Sequence, residues 1–346
     1  MTKNSTTHYL FYIEQNYSFE ILRPLQHLIL QQGGNVKWMV VGNDVNCDNF
    51  TENESVIYTV ADAINYSPAA CFAPGNVIPN FIPGIKVHLF HGLEWKKKGH
   101  FVIRDCFDLY CTHGQAATPK FEHLAQQHQS FDVVETGWPK LDNLFSTAAV
   151  KYFTNDKPTI LYAPTFSPAL TSAPALFEAI SALVKENSHN WVLKFHPKMA
   201  TEWIDQYKKI TADNYLFIES TDINQVLQSA DIMISDTSSV VGEFSLLGKP
   251  VITLNNSAPG DYLINISSAE QLANAIEQAF TPSQALTTAI NAYAQSLHPY
   301  NDGQSSLRVL NAVEAIINNG KKAPKSLPLN FFRMFKLRKK LGYWKL

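Results

Sequence analysis

A chain of 346 residues, 45% hydrophobic and 17% charged, has enough apolar material for two domains of about 150 residues each, which excludes general disorder. Its formal charge of -2 conceals an asymmetry: from Lys321 onward nine Lys or Arg occur with no Asp or Glu, leaving 19 basic against 30 acidic residues in the body. An acidic body with a basic tail argues against nucleic acid as the partner and for a tail that meets an anionic surface.

The polar residues Met1 to Thr7 lead straight into a strand-like run, so no signal peptide is expected. No apolar stretch approaches the ~20 residues of a membrane span. Cys47, Cys71, Cys106 and Cys111 match no zinc or redox spacing and read as small buried hydrophobes in a reducing compartment. The body is expected to be cytoplasmic.

In chain order, His8 to Ile13 reads as a buried strand, and Ser18 to Gln32 as a helix that Gly33-Gly34 stops. Strands are then expected at Val36 to Val41, Ser55 to Val60, Ala69 to Phe72, Ile85 to Phe90, Leu109 to Thr112 and Val133 to Thr136. A polar stretch, Ser146 to Lys157, reads as a linker. A second series follows, with strands at Thr159 to Tyr162, Trp191 to Phe195, Tyr215 to Ile218, Asp231 to Ser235 and Pro250 to Leu254. Helical segments between them are Pro174 to Glu186, Thr201 to Ile210, Ile223 to Ala230 and Val240 to Leu247; Ala269 to Phe280, Pro282 to Leu297 and Ser305 to Ile317 come after. The alternation predicts an α/β chain of two Rossmann-like parallel-sheet domains, residues 1–150 and 158–320, facing a cleft, with a tail at 321–346. Ligands in such sheets bind beyond the carboxyl ends of the strands, so polar motifs there carry the most weight.

Four such motifs stand out. His91-Gly92 follows the strand Ile85 to Phe90; a histidine there can take a proton from a hydroxyl near neutral pH, and glycine admits a ligand to the backbone. Taken alone, the pair also fits a histidine filling a loop. Lys194-Phe195-His196-Pro197 ends another strand, and strand alternation sends Lys194 and His196 to one side, suited to a phosphate or diphosphate. Ser235-Asp236-Thr237-Ser238-Ser239 precedes a helix containing Glu243; its hydroxyls and the helix start make an anion site, an ordinary N-cap, or both. Thr136-Gly137-Trp138-Pro139-Lys140, leading to Asp142, is by itself a turn, and Tyr162-Ala163-Pro164-Thr165 is similarly weak alone. No D-x-D loop, metal-ligand spacing, P-loop or G-x-G-x-x-G is present, so neither a metal nor another cofactor is expected.

In this order the motifs resemble the CDP-glycerol glycerophosphotransferase family, which builds teichoic-acid and related polyol-phosphate polymers. The likeness runs from His91-Gly92 through Gly137-x-Pro139-Lys140-x-Asp142, Tyr162-Ala163-Pro164-Thr165, Lys194-x-His196-Pro197 and Ser235-Asp236-x-Ser238-Ser239. It ends with Phe244 to Pro250 and Asp302-Gly303 with Arg308. This covers about residues 85 to 315; where the family often has an arginine after Thr165, this chain has Phe166-Ser167-Pro168.

The resemblance implies a metal-independent GT-B fold. It implies His91 as the base on the acceptor hydroxyl and His196, assisted by Lys194, at the diphosphate. Ser235, Asp236, Thr237, Ser238 and Ser239 would line the donor site, with Glu243 at ribose or cytosine and Arg308 as a further diphosphate partner. Gly92, Gly137, Pro139, Lys140, Thr165 and Pro197 would support. The expected donor is CDP-glycerol or a related CDP-polyol, and the expected acceptor a lipid-linked or capsular saccharide.

In the tail, a helix over Phe331 to Leu346 would put Phe331, Met334, Leu337, Leu341 and Trp344 on one side and Arg333, Lys336 and Lys340 opposite. That pattern fits an interfacial helix on the inner face of a cell membrane, or a helix docked on the protein. The rival functions are a GT-B glycosyltransferase or epimerase using a sugar nucleotide, and a non-catalytic polymer-binding protein.

Overall fold

The computed structural model describes residues 6–93, 99–219, 223–319 and 330–344. The tail residues 321–329, together with Lys345 and Leu346, lie outside the described residues. The chain divides into two compact units: Met1–Phe145 with Leu297–Leu346, and Ser146–Ser296.

The first unit contains β1 (His8–Ile13), α1 (Ser18–Gln31), β2 (Asn35–Val40), β3 (Val56–Ile57), α2 (Val60–Tyr66), β4 (Ala70–Ala73) and β5 (Ile85–His88). It continues with β6 (Leu109–Thr112), α3 (Thr118–His128), β7 (Asp132–Glu135) and α4 (Lys140–Ser146). The seven strands form one parallel sheet in the order β3-β2-β1-β4-β5-β6-β7, so the winding reverses between β1 and β4. Near-continuous apolar strands such as Ala70–Ala73 are buried throughout, as a sheet covered on both faces requires. Phe11 on β1 registers with Trp38 on β2 and Phe72 on β4, and its ring meets both edge-on at 4.9 and 5.8 Å. One expected strand is shortened. Ser55 to Val60 keeps only Val56–Ile57, because the Thr59 hydroxyl accepts from the Asp62 N–H at 3.1 Å and starts α2 at Val60.

The second unit contains β8 (Thr159–Tyr162), α5 (Ala173–Glu186), β9 (Asn190–Leu193), α6 (Thr201–Lys208), β10 (Tyr215–Phe217), α7 (Asn224–Ser229) and β11 (Ile232–Ser235). It ends with α8 (Val240–Ser245), β12 (Val251–Leu254), β13 (Ile264–Ile266), α9 (Leu272–Phe280) and α10 (Gln284–Leu297). Its sheet runs β10-β9-β8-β11-β12-β13, all parallel, with the reversal between β8 and β11. The three-residue β13 has no counterpart in the sequence reading. Trp191, Tyr162, Leu176, Ile180 and Ile276 belong to the apolar core that covers this sheet.

The expected boundary at residue 320 is corrected. Helix α11 (Ser305–Asn319) belongs to the first unit, where it packs on α1 and buries Val309, Leu310 and Val313. Each such side chain contributes about 1.5–3 kcal/mol. Helix α12 (Phe331–Leu341) follows, also in the first unit. Among the described residues no helix is long and apolar enough to cross a membrane. Cys71, Cys106 and Cys111 are buried as expected, whereas Cys47 is exposed.

The Gly137-x-Pro139-Lys140-x-Asp142 motif explains the return of the chain. Asp142 accepts from the N–H groups of Ser305 and Ser306, both at 2.7 Å, and so caps α11 from 163 and 164 residues away. Gly137 has φ +76°, and a Cβ there would lie 2.5 Å from the Ser305 hydroxyl and 2.7 Å from His298 Nε2. The backbone can approach that segment only without a side chain. His298 Nε2 accepts the Trp138 N–H at 2.9 Å, and Lys140 pairs with Glu20 at 3.2 Å.

Burial holds several imidazoles of this unit neutral, His88 and His100 among them. Burial pushes His298 down to about 4 and His113 down to about 3, from an ordinary value of 6.5. The unfolded chain therefore takes up protons that the folded one refuses, and stability falls as pH drops from 6.5 toward 4. Between pH 7 and 5.5 the expected loss is about 1 kcal/mol per histidine. Urea midpoints at the two pH values check this, and an unchanged midpoint would contradict it.

Candidate functional site

In the first unit the carboxyl ends of β1, β4 and β5 meet beside the reversal point. His91 is exposed there, three residues past β5, and its Nδ1 lies 3.2 Å from the carbonyl of Pro74, which directly follows β4. A carbonyl only accepts, so Nδ1 carries the proton and Nε2 keeps a free lone pair. Tyr17 stacks on the ring at 5.4 Å and 27°. Phe90, the residue before, sits at φ +58°, a conformation bulky side chains rarely adopt. It is held by burial of its ring against His100 and Phe121, each at 5.1 Å. Strain of this kind clusters where a side chain is being aimed. Gly92 has open space around its Cα.

In the second unit the polar turns lie at the carboxyl ends of β9, β8 and β11, around its reversal point. β8 lies between the other two, so its exit through Thr165 is flanked by the Lys194–His196 turn and the Ser238–Ser239 turn. β9 ends at Leu193, so strand alternation does not govern the next residues: Lys194 is buried and His196 exposed. Burial lowers the Lys194 ammonium from its usual range, with Glu219 opposing. His196 Nδ1 accepts the Lys198 N–H at 3.0 Å, so the neutral ring presents Nε2–H outward as a donor. Desolvation, then Lys198 and Lys194, lower its pKa. Phe166 lies over His196 at 4.4 Å. It stands just after Thr165, where the sequence departs from the family's usual arginine, and composition gave no sign of that ring contact.

Two expected donor ligands are spent on the fold. The Ser235 hydroxyl is buried and donates to the Ala163 carbonyl at 2.6 Å. Asp236 is fully buried; it accepts from the Thr165 N–H at 2.9 Å and from the Ser172 N–H and hydroxyl at 2.8 Å each. Burial raises its pKa, and those three bonds oppose the rise. Asp236 therefore ties the 165–172 loop to the β11 exit rather than facing a ligand. Thr237 accepts the Ser257 N–H at 3.0 Å, and Asn256 donates to the Asp236 carbonyl at 2.8 Å. That brings in a β12 exit loop the sequence reading did not single out. Ser238 and Ser239 stay at the start of α8, partly or fully exposed, and Glu243 is buried within that helix. Pro197 is exposed at the turn after β9.

Arg308 belongs to the other unit. It lies on α11 in the first unit, paired with Asp302, with its guanidinium 3.8 Å from the Tyr300 ring centre. A cavity of about 320 Å³ does occur in the second unit, lined by Tyr152, Lys157, Thr159, Asn190 and Ser229 among others. It sits at the strands' amino ends, the wrong edge for ligands of such a sheet. Among the described residues no cluster of His, Cys, Asp or Glu is suited to hold a metal ion.

Comparison with known proteins supplies the context. The chain is 31% identical over 178 residues to the teichoic acid glycerol-phosphate primase of Bacillus subtilis, covering 47% of this chain and 45% of that one. It is 32% identical over 136 residues to the teichoic acid poly(ribitol-phosphate) polymerase of Bacillus spizizenii, covering 35% and 22%. The chain thus spans less than half the length of these curated relatives. In fold it resembles the wall teichoic acid polymerase TagF, with a TM-score of 0.63 at 14% identity over 90% of this chain and 89% of that one. It equally resembles S. aureus MnaA in complex with UDP, with a TM-score of 0.63 at 17% identity over 92% and 99%. At such identities the likeness is one of fold, and the fold is of the GT-B type. Residues 107–315, more than half of the chain and including every motif from Gly137 to Arg308, match the family of CDP-Glycerol:Poly(glycerophosphate) glycerophosphotransferases, and the chain belongs to that family.

Proposed function

We propose that this protein transfers glycerol phosphate, or a related polyol phosphate, from a CDP-activated donor to a hydroxyl of a cell-envelope polymer or saccharide, releasing CMP. The observation that carries this reading is the outward Nε2–H of His196 at the sheet's carboxyl edge, with the Lys194 ammonium near enough to lower its pKa, within the segment matched to the family. In the reaction, His91 Nε2 takes the acceptor's proton and the acceptor oxygen bonds to the β-phosphorus. The bond from that phosphorus to the bridging oxygen breaks, and CMP leaves with the bridging oxygen. Lys194 and His196 neutralise the charge gathering on the diphosphate, and the Ser238–Ser239 turn adds donors. Glu243 is read as a nucleoside contact. A lipid-linked or capsular acceptor would put the work at the inner face of the cell membrane.

The test is CMP release by purified protein given CDP-glycerol, CDP-ribitol or UDP-sugars, with membrane extract as acceptor. CMP formed from a CDP-polyol and dependent on acceptor supports the reading. Turnover of UDP-sugars alone, yielding UDP, would overturn it in favour of a glycosyltransferase or epimerase of the same fold.

A further inference from the structure

Helix α12 docks through Leu337 and Leu341 of the apolar side expected from the sequence, whereas Phe331 and Trp344 of that side stay exposed. Leu337 is buried, and Leu341 and Tyr343 pack on the core of the first unit. The Arg338 guanidinium lies 4.6 Å from the Phe81 ring, which also stacks on Tyr343 at 5.2 Å. Arg333 and Asn330 donate to the Arg104 carbonyl. Lys340 pairs with Glu14 at 2.6 Å; Glu14 follows β1 and lies 3.6 Å from where a Cβ on Gly75 would be. Gly75 adjoins Pro74, whose carbonyl holds His91. The helix therefore borders the strand edge that carries His91.

Docking leaves four aromatic side chains outward. Phe332 is 88% exposed, Phe331 69%, Phe335 57% and Trp344 54%, and the Phe335 and Trp344 rings meet edge-on at 5.4 Å. At about 100° per residue, Phe332, Phe335, Lys336 and Lys339 share one arc of roughly 100°. Residues 331–344 hold Arg333, Lys336, Arg338, Lys339 and Lys340 and no acid. Exposed aromatics in one patch mark an interaction surface, and cations interleaved with them match an anionic bilayer's interface.

We propose that this outward face of α12 seats the protein on an anionic lipid bilayer, holding the His91 edge beside a membrane-borne acceptor. The acceptor clause rests on the transfer reaction proposed above; the lipid contact does not. The test is sedimentation of the full chain with vesicles of phosphatidylglycerol and phosphatidylcholine, against phosphatidylcholine alone, for wild type and the Phe332→Ser/Phe335→Ser double variant. Wild type should bind the anionic vesicles and release with added salt. The double variant should bind them at least tenfold more weakly, with an unchanged urea midpoint because both rings are already exposed. Equal binding to both vesicle types, or undiminished binding by the variant, overturns the proposal. CMP release to a water-soluble polyol acceptor should be unaffected by the variant. If wild type binds as stated but releases no CMP from any CDP-polyol, the lipid contact stands and the transfer reading falls.

Discussion

Replacing His91 by Ala is expected to lower acceptor-dependent CMP release by about 10²–10⁴-fold, the usual worth of a positioned general base. CDP-glycerol affinity should stay within about twofold, since in the proposed reaction the ring acts on the acceptor and not the donor. The geometry gives three reasons. The Pro74 carbonyl fixes the tautomer, leaving Nε2 basic and outward. The stacked Tyr17 ring limits rotation. The strained Phe90 backbone aims the residue from a sheet edge. Because His91 is exposed, its loss should leave the fold intact, so a lower rate with an unchanged urea midpoint is a chemical effect. Steady-state rates with calorimetric donor titration separate these quantities. A loss below tenfold would remove His91 from the chemistry, and an equal loss of donor affinity would move it to the donor site.

How much of this was legible in the sequence depended on how local each signal was. The strand runs announced themselves through continuous apolar stretches, and the motifs worth reading were those just after them. The carboxyl-edge rule located Lys194, His196 and Ser238 without any coordinates. What stayed hidden was set by partners far along the chain. Nothing near Asp142 shows that it caps a helix starting at Ser305. The α12 stripe divides for a related reason: periodicity identifies an apolar side, but that Leu337 and Leu341 turn to the core of the unit while Phe331 and Trp344 stay exposed is a tertiary matter. Short elements fared worst. Strand β13 has three residues, too few for a periodic signal, and one hydroxyl on Thr59 turned a predicted strand into a helix start.

The same distinction between motif and role makes Asp236→Ala the most informative substitution in the second unit. By sequence the residue looks like a ligand, sitting in a Ser-Asp-Thr-Ser-Ser turn before a helix. In the structure its two oxygens accept three bonds from residues 64 and 71 positions away. Removing the carboxylate leaves the Thr165 and Ser172 N–H groups without their acceptor, at about 1–3 kcal/mol for each buried donor. The Ser172 hydroxyl keeps its contact with Tyr162 at 3.0 Å, so its own loss is smaller. The expected cost is about 3–5 kcal/mol, read as a lower urea midpoint, with donor binding lost only as the 165–172 loop loosens. Asp236→Asn should recover part of that stability, because one amide oxygen still accepts while the NH₂ opposes a donor. Ser238→Ala is the contrast: a partly exposed hydroxyl at the start of α8 should leave the midpoint unchanged and weaken CDP-glycerol binding by a few-fold. If Asp236→Ala instead kept the wild-type midpoint and lost the donor outright, the carboxylate would be a ligand after all. The three hydrogen bonds would then have to be exchanged for donor contacts whenever substrate binds.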